Sequence, residues 1–215
     1  GVLFLKEDAV LEDNPPIKLK NNWFTRQFEV FTEMYGSPVY TEFDPTPIVA
    51  PFYLLFFAMC MGDAGYGIIL ILLGIAIAKK WINIAMLKNI GPIISILGAG
   101  TFVIGLVLGT AFGIDLSAAE WYPEALKKIM VTGTIAGFPA QMILALGIGV
   151  FHICLAMTVK AIGYTKRFGF RETVSVWGWL LLIIGGIATG ALGMSKLVSP
   201  DVLKWIVIVI GTVSA

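Results

Sequence analysis

Charge is scarce in this sequence. Asp, Glu, Lys and Arg together make up 13% of its 215 residues, about half of the ~25% usual in soluble domains. An ordinary soluble domain is thereby excluded. Net charge is +1, so no basic face asks for a nucleic-acid partner. Cysteine is limited to Cys60 and Cys154, each inside an apolar run. That leaves no disulfide framework and no metal-ligand spacing, and both read as small buried hydrophobes. His152 is the one histidine. Gly62, Gly65 and Gly67 are not followed by Gly-Lys-Ser/Thr and have no alternating strand–helix context, so they make no phosphate-binding loop. No Ser/His/Asp set, paired carboxylate or His-Glu metal signature is present. No catalytic residue, cofactor or metal is therefore expected. No secretory leader pattern is visible either, because the first apolar run comes late and lacks a small-residue cleavage site.

What is abundant is apolar sequence: 58% of residues are hydrophobic, gathered in several long runs. The fold class this implies is an all-α, polytopic transmembrane helical bundle. The stretch from Asp44 to Lys80 organises the rest. It opens with Pro45, Pro47 and Pro51, which predict an extended entry and a helix beginning only near its end. From Ile48 to Ala78 the only charge is Asp63. One helix over that length would measure ~46 Å against a hydrocarbon core of ~30 Å. A hairpin over 48–78 would instead turn at Gly62, Gly65 and Gly67, with Asp63 capping the second arm. A full hairpin, a re-entrant loop and one tilted helix all stay open on this stretch alone.

Residues 1–44 hold most of the acids and resemble in character the edge of a soluble domain. Trp23 to Tyr35 predict one helix capped by Asn22 and ended by Gly36-Ser37-Pro38, with Trp23, Phe24, Phe28, Phe31 and Tyr35 on one side. Either a membrane-surface helix or one packed on the soluble domain fits that pattern. Further spans are expected at about 90–114, 138–161 and 173–194, with a turn at Pro200-Asp201 and a cut-short span from 202, so the chain reads as a fragment. Gly105, Gly109 and Gly113, four apart, predict a helix-packing face, as do Gly186 and Gly190. Asp115 to Gly137 is a polar connection with Trp121 and Tyr122 near an interface. Loops 79–89 and 160–171 carry seven Lys/Arg and loop 115–137 carries two. The excess of positive charge puts the first two in the cytoplasm.

The pattern DPTP-x-VAPF-x-LLFF-x-MC-x-GDAGYG, Asp44 to Gly67, resembles the large membrane subunit of V-type and archaeal-type rotary ATPases, called subunit a in eukaryotes and subunit I in prokaryotes. The likeness extends upstream through Pro15-Pro16-Ile17-Lys18-Leu19-Lys20-Asn21 and Trp23 to Tyr40, and more loosely downstream to Ala215. It implies a non-catalytic stator subunit of an ATPase or ATP synthase in a prokaryotic plasma membrane. The implied partners are the rotor proteolipid ring, peripheral stalk subunits and the lipid bilayer. The resemblance also implies that residues 1–44 are cytoplasmic, which together with the basic loops favours a hairpin over 48–78. In that family a membrane-buried arginine serves H⁺ or Na⁺ transfer at the ring. Arg26, Arg167 and Arg171 all lie outside the expected spans, so the ring-facing helices are expected outside this sequence.

Ionisable groups inside membranes are expensive and often functional. Asp63 is a candidate proton relay, set against a helix cap. His152 is a candidate proton-exchanging group, set against a hydrogen bond to a neighbouring helix. Gln141 reads as an interface residue, and Glu172, at the cytoplasmic end of its span, can sit in water. A competing class is a helical secondary transporter or channel, whose broken helices also carry Gly and Asp at mid-chain. A purely structural membrane scaffold is a third. The discriminating feature is a later apolar span with a buried arginine, against a second broken helix without one.

Overall fold

The computed structural model describes residues 20–35, 44–81, 90–135, 137–194 and 200–214. The expected soluble-domain edge at 1–19, the stop at Gly36-Ser37-Pro38, residues 82–89 of the expected loop 79–89 with Lys88, and residues 195–199 lie outside the described residues. The chain is an all-α membrane protein. Among the described residues three helices are long and apolar enough to cross a bilayer: Gly91–Leu108, Ala140–Phe168 and Arg171–Gly190. It divides into two compact units, residues 1–145 and 146–215.

The first unit begins with two short helices, α1 (Trp23–Arg26) and α2 (Glu29–Tyr35), where the pattern predicted one. Asn22 caps α1 by accepting from the Thr25 N–H at 2.8 Å. The break at Gln27-Phe28 turns Phe28 into a core of Ala50, Ile93 and Leu97, flanked by Phe24, Phe31 and Tyr53. Phe31 stacks on Tyr53 at 4.1 Å between ring centroids. Trp23, expected on the same face, is left exposed.

Helix α3 (Thr46–Met61) starts earlier than its prolines predicted. Pro47 falls in the first turn, where its missing N–H has no intrahelical partner to lose. The Thr46 N–H donates to the Asp44 carboxylate at 2.9 Å, which substitutes for a cap on the unfilled end. Pro51 alone costs the helix a hydrogen bond. Cys60, read as a buried hydrophobe, is exposed on this helix. Gly62, at φ +58°, ends α3 in the left-handed conformation that glycine adopts without strain. Asp63 follows, and α4 (Ala64–Ala78) begins at once.

Helix α5 (Gly91–Leu108) runs antiparallel to α4 and packs on both arms. Its contact with α4 is made by glycine. A Cβ on Gly67 would sit 2.4 Å from the Phe102 backbone, one on Gly98 2.6 Å from Ile71, and one on Gly105 2.1 Å from Ala64. Gly74 and Gly91 meet each other's helices in the same way. Gly67 and Gly74 are seven residues apart, as are Gly91, Gly98 and Gly105, the period that keeps one seam facing a partner along an antiparallel pair.

Beyond α5 the chain makes two small antiparallel hairpins. In the first, β1 (Thr110–Ala111) pairs with β2 (Ile114–Asp115); in the second, β3 (Thr134–Ile135) pairs with β4 (Phe138–Pro139). The short helix α6 (Glu124–Lys127) lies between them. Helix α7 (Ala140–Phe168) then runs through Lys160, Lys166 and Arg167, so most of the expected loop 160–171 is helix. Gly169, at φ +87°, ends it.

In the second unit a 3-10 turn (Arg171–Thr173) leads into α8 (Val174–Met194), and α9 (Pro200–Ser214) starts at the proline expected only to turn the chain. Thr165 and Thr173 hydroxyls meet at 2.9 Å, and the Trp177 indole N–H donates to Thr165 at 3.2 Å, clasping the α7–α8 turn. Gly185 rather than Gly186 or Gly190 meets α9, at Ile210.

Candidate functional site at the hairpin tip

Asp63 stands where three pieces of chain end together: α3, α4 and the turn after α5. Its side chain is 7% exposed. Oδ1 accepts from the backbone N–H groups of Gly65 at 2.8 Å, Tyr66 at 3.1 Å and Phe112 at 2.8 Å. Oδ2 accepts from the Gly113 N–H at 2.8 Å. The first two are the free N–H groups of the opening turn of α4, which a short acidic side chain is well shaped to cap. The other two come from residues 49 and 50 positions further along. They converge because Phe112 and Gly113 both adopt positive φ, +52° and +75°, and so point successive N–H groups the same way. The Thr110 hydroxyl donates to the Gly62 carbonyl, closing the other side of the junction.

Absent side chains make this approach possible. A Cβ on Gly65 would meet the Phe112 ring at 2.4 Å. The Phe112 ring lies edge-on to Tyr66, with centroids 6.1 Å apart. A second polar tie crosses nearby, where the Gln141 side-chain amide donates to the Leu108 carbonyl at 3.1 Å. That carbonyl belongs to the last turn of α5, where intrahelical partners run out.

Three donors converge on Oδ1 and one on Oδ2, charge-assisted bonds that tie the start of α4 and the β1–β2 turn to one side chain. Asp63 thus has the geometry of a latch.

The other candidates scatter. Gly62 is a helix end, whereas Gly65 and Gly67, expected in a turn, lie within the first turn of α4 as close-approach sites. Gly105 packs on Ala64, whereas Gly109 (φ +78°) caps α5 and Gly113 lies in the β1–β2 turn, because the helix stops at Leu108 instead of 114. His152 is half-buried on α7 in the second unit. The pattern reading missed Phe112 and Gly113 as partners of Asp63, and Thr110 as the partner of the Gly62 carbonyl. The available signal was Gly109 and Gly113 bracketing a short run before Asp115, which is also a turn signature.

Among the described residues no cluster of His, Cys, Asp or Glu could hold a metal. The fold defines a polytopic α-helical membrane protein entered through a glycine-seamed, carboxylate-latched helix hairpin. Comparison with known sequences then makes the particular assignment: the chain belongs to the V-type ATPase 116kDa subunit family, whose model matches residues 4–113. That match contains Asp63 and all of its donors. The chain is 34% identical over 201 residues to the A-type ATP synthase subunit I of Pyrococcus horikoshii, covering 89% of this chain and 28% of that protein. It is 28% identical over 196 residues to the A-type ATP synthase subunit I of Methanocaldococcus jannaschii, covering 80% and 28%. Likeness to V-type ATP synthase subunit I 1 of Treponema pallidum is 27% over 189 residues, covering 83% and 29%. The chain thus spans under a third of the length of these relatives.

Proposed function

We propose that this chain is the entry to the membrane part of a non-catalytic stator subunit in a prokaryotic V/A-type ATPase or ATP synthase. Its partners in this reading are the rotor proteolipid ring and the peripheral stalk subunits. The protein sits in the plasma membrane, with residues 1–44 and the basic segments 79–89 and 160–171 on the cytoplasmic side. Its task is to anchor the stalk-linked part and brace the helices that carry H⁺ or Na⁺ past the ring.

The observation that carries this reading is the burial of Phe28 against Ala50, Ile93 and Leu97. A stator must pass lateral force from its soluble part to its membrane part without a hinge between them. Here the segment before the first membrane helix is packed into α3 and α5. It is also hydrogen-bonded there: the Asn21 amide donates to Asp44 and Glu29 at 2.9 Å each, and the Thr32 and Thr46 hydroxyls meet at 2.9 Å. The Asp63 latch then fixes α3, α4 and α5 at their other end. Ion transfer itself is not assigned to these residues. Arg26 is in α1, Arg167 in the last turn of α7 and Arg171 in the turn before α8, none at mid-span.

The test is to purify the natural full-length chain, tagged, from native membranes in mild detergent. Its partners would be identified by mass spectrometry and ATP hydrolysis assayed in the eluate. Recovery of catalytic head subunits and a small proteolipid is expected. A chain that comes out alone and inactive, under conditions that keep other membrane complexes together, would overturn the reading and make solute flux in liposomes the next measurement.

A further inference from the structure

The helices of the first unit are short for the membrane they enter. α3, α4 and α5 have 16, 15 and 18 residues, or ~24, ~22 and ~27 Å at ~1.5 Å per residue, against a hydrocarbon core of ~30 Å. One end of this unit is marked as a water boundary. Lys79 and Lys80 close α4 there, with the Lys79 ammonium 5.3 Å over the ring of exposed Trp81. Lysine and tryptophan at a helix end hold it at the headgroup level. The opposite end, with Asp63 and the β1–β2 turn, then falls short of the far boundary.

Two independent features of that end agree. The first is its hydrogen bonding. Non-helical backbone at membrane depth must find its partners within the protein. The Asp63 carboxylate takes four N–H groups, Thr110 takes the Gly62 carbonyl, the Leu116 N–H donates to Gly109 and the Val131 N–H to Val107. These last two bonds fold the connection back onto the end of α5 instead of letting it project into water. The second is its surface. Phe112, Ile114, Ile135 and Phe138 on the two small hairpins are all more than half exposed, as are Ile129 at 61% and Trp121 at 73%. A connection standing in water has no reason to present six large apolar side chains outward, and clustered exposure of this kind marks a contact surface.

We propose that residues 109–135 and 137–139 form a cap immersed in the bilayer interface, in the leaflet opposite Lys79 and Lys80. Its partner is the boundary between phospholipid headgroups and acyl chains. The apolar tips of both hairpins, with Trp121, enter the acyl side. Asp115, Glu120, Glu124, Lys127 and Lys128 face the headgroups and water. The inference rests on membrane insertion alone and stands whether or not the stator reading does.

The test places an environment-sensitive fluorophore at single cysteines, Ile114→Cys, Ile129→Cys and Ile135→Cys. The background is the full-length chain with Cys60→Ser, Cys154→Ser and any cysteine outside the present sequence replaced likewise, reconstituted in phosphatidylcholine vesicles. Three sites on separate elements keep the test open if one variant fails to fold, and intact size-exclusion behaviour selects the variants to read. Blue-shifted emission is expected, quenched several-fold more by lipids brominated near the headgroup than by aqueous iodide. Quenching by iodide with none by bromolipid would place the cap in water. Protection from both would place it under another part of the same protein. Either result overturns the proposal.

Discussion

The Asp63 carboxylate and the Phe112 backbone N–H, 49 residues apart in the chain, meet at 2.8 Å. That bond joins the tip of the α3–α4 hairpin to the turn after α5. It explains why Phe112 tolerates a φ of +52°, a conformation that bulky residues rarely adopt. In this position its N–H reaches Asp63 and its ring covers Gly65 and Tyr66. One acidic side chain therefore caps a helix, orients a strained turn and satisfies backbone that lipid cannot.

A latch and a proton relay respond differently to the loss of charge. Asp63→Asn keeps the shape but turns an NH₂ group toward backbone donors. Asp63→Ala removes the cap and leaves the Phe112 and Gly113 N–H groups unpaired. A capping side chain is worth about 1 kcal/mol and each further hydrogen bond lost about 0.5–1.5 kcal/mol. Asp63→Ala is expected to lose several kcal/mol and Asp63→Asn about 1–3 kcal/mol, read as a fall in thermal midpoint in detergent. Ion transport should fail only in step with stability. An Asp63→Asn protein that is as stable as the parent but dead in transport would sink the latch and restore the relay.

The glycine seam separates crowded from open sites. Gly105→Ala would push a methyl to 2.1 Å from the Ala64 backbone, where no flexible side chain can give way. Overpacking of this kind costs about 1–3 kcal/mol. Gly147→Ala lies on α7 with nothing within 4 Å of the added carbon, and removing a helix-interior glycine there should gain about 0.5–1 kcal/mol. Thermal midpoints moving in opposite directions are expected. Equal shifts would mean that α4 and α5 do not approach as closely as described.

How legible this was from the residues depended on the range of the interaction. The capping role of Asp63 is local, two and three residues ahead, and could be read from Gly-Asp before an apolar run. Its second pair of donors is long-range, and no pattern within a window contains both Asp63 and Gly113. The seam was missed for a different reason. Gly105, Gly109 and Gly113 sit four apart and invite a one-helix reading, but the helix ends where Gly109 takes positive φ. The operative repeat is seven, split between two helices, and shows only when α4 and α5 are set antiparallel. Prolines misled in the opposite direction, because Pro47 lands in a first turn that tolerates it. The all-α membrane character itself was readable because membrane helices need length and composition more than partners.

The Thr165–Trp177 clasp makes the second unit testable by its own fluorescence. Thr165→Val removes the acceptor of the Trp177 indole N–H and the partner of the fully buried Thr173. Hydrogen bonds between membrane helices are worth about 0.6–1.7 kcal/mol. A loss of that size is expected, with a shift in Trp177 emission isolated by difference from Trp177→Phe. Thr165→Ser should restore both. Unchanged stability and emission in Thr165→Val would show that the clasp contributes nothing.

The last turn of α4 carries a lysine where helices usually place glycine. Lys80 has φ +60°, its N–H donates to Ile77 and the Trp81 N–H donates to Ala76, both at 2.9 Å. This is the double-bonded helix ending that favours a left-handed residue at its pivot. A side chain in that conformation costs about 1–2 kcal/mol, so Lys80→Gly should raise the thermal midpoint in detergent. Lys80→Val should lower it, because a branched Cβ is worse still in that region. In vesicles containing anionic lipid the order should narrow, since glycine also gives up a charge worth about 1 kcal/mol near such a surface. The pair of measurements separates backbone strain from surface attraction. If Lys80→Gly is no more stable than the parent in uncharged detergent, the strain is absent and Lys80 does not hold a left-handed turn.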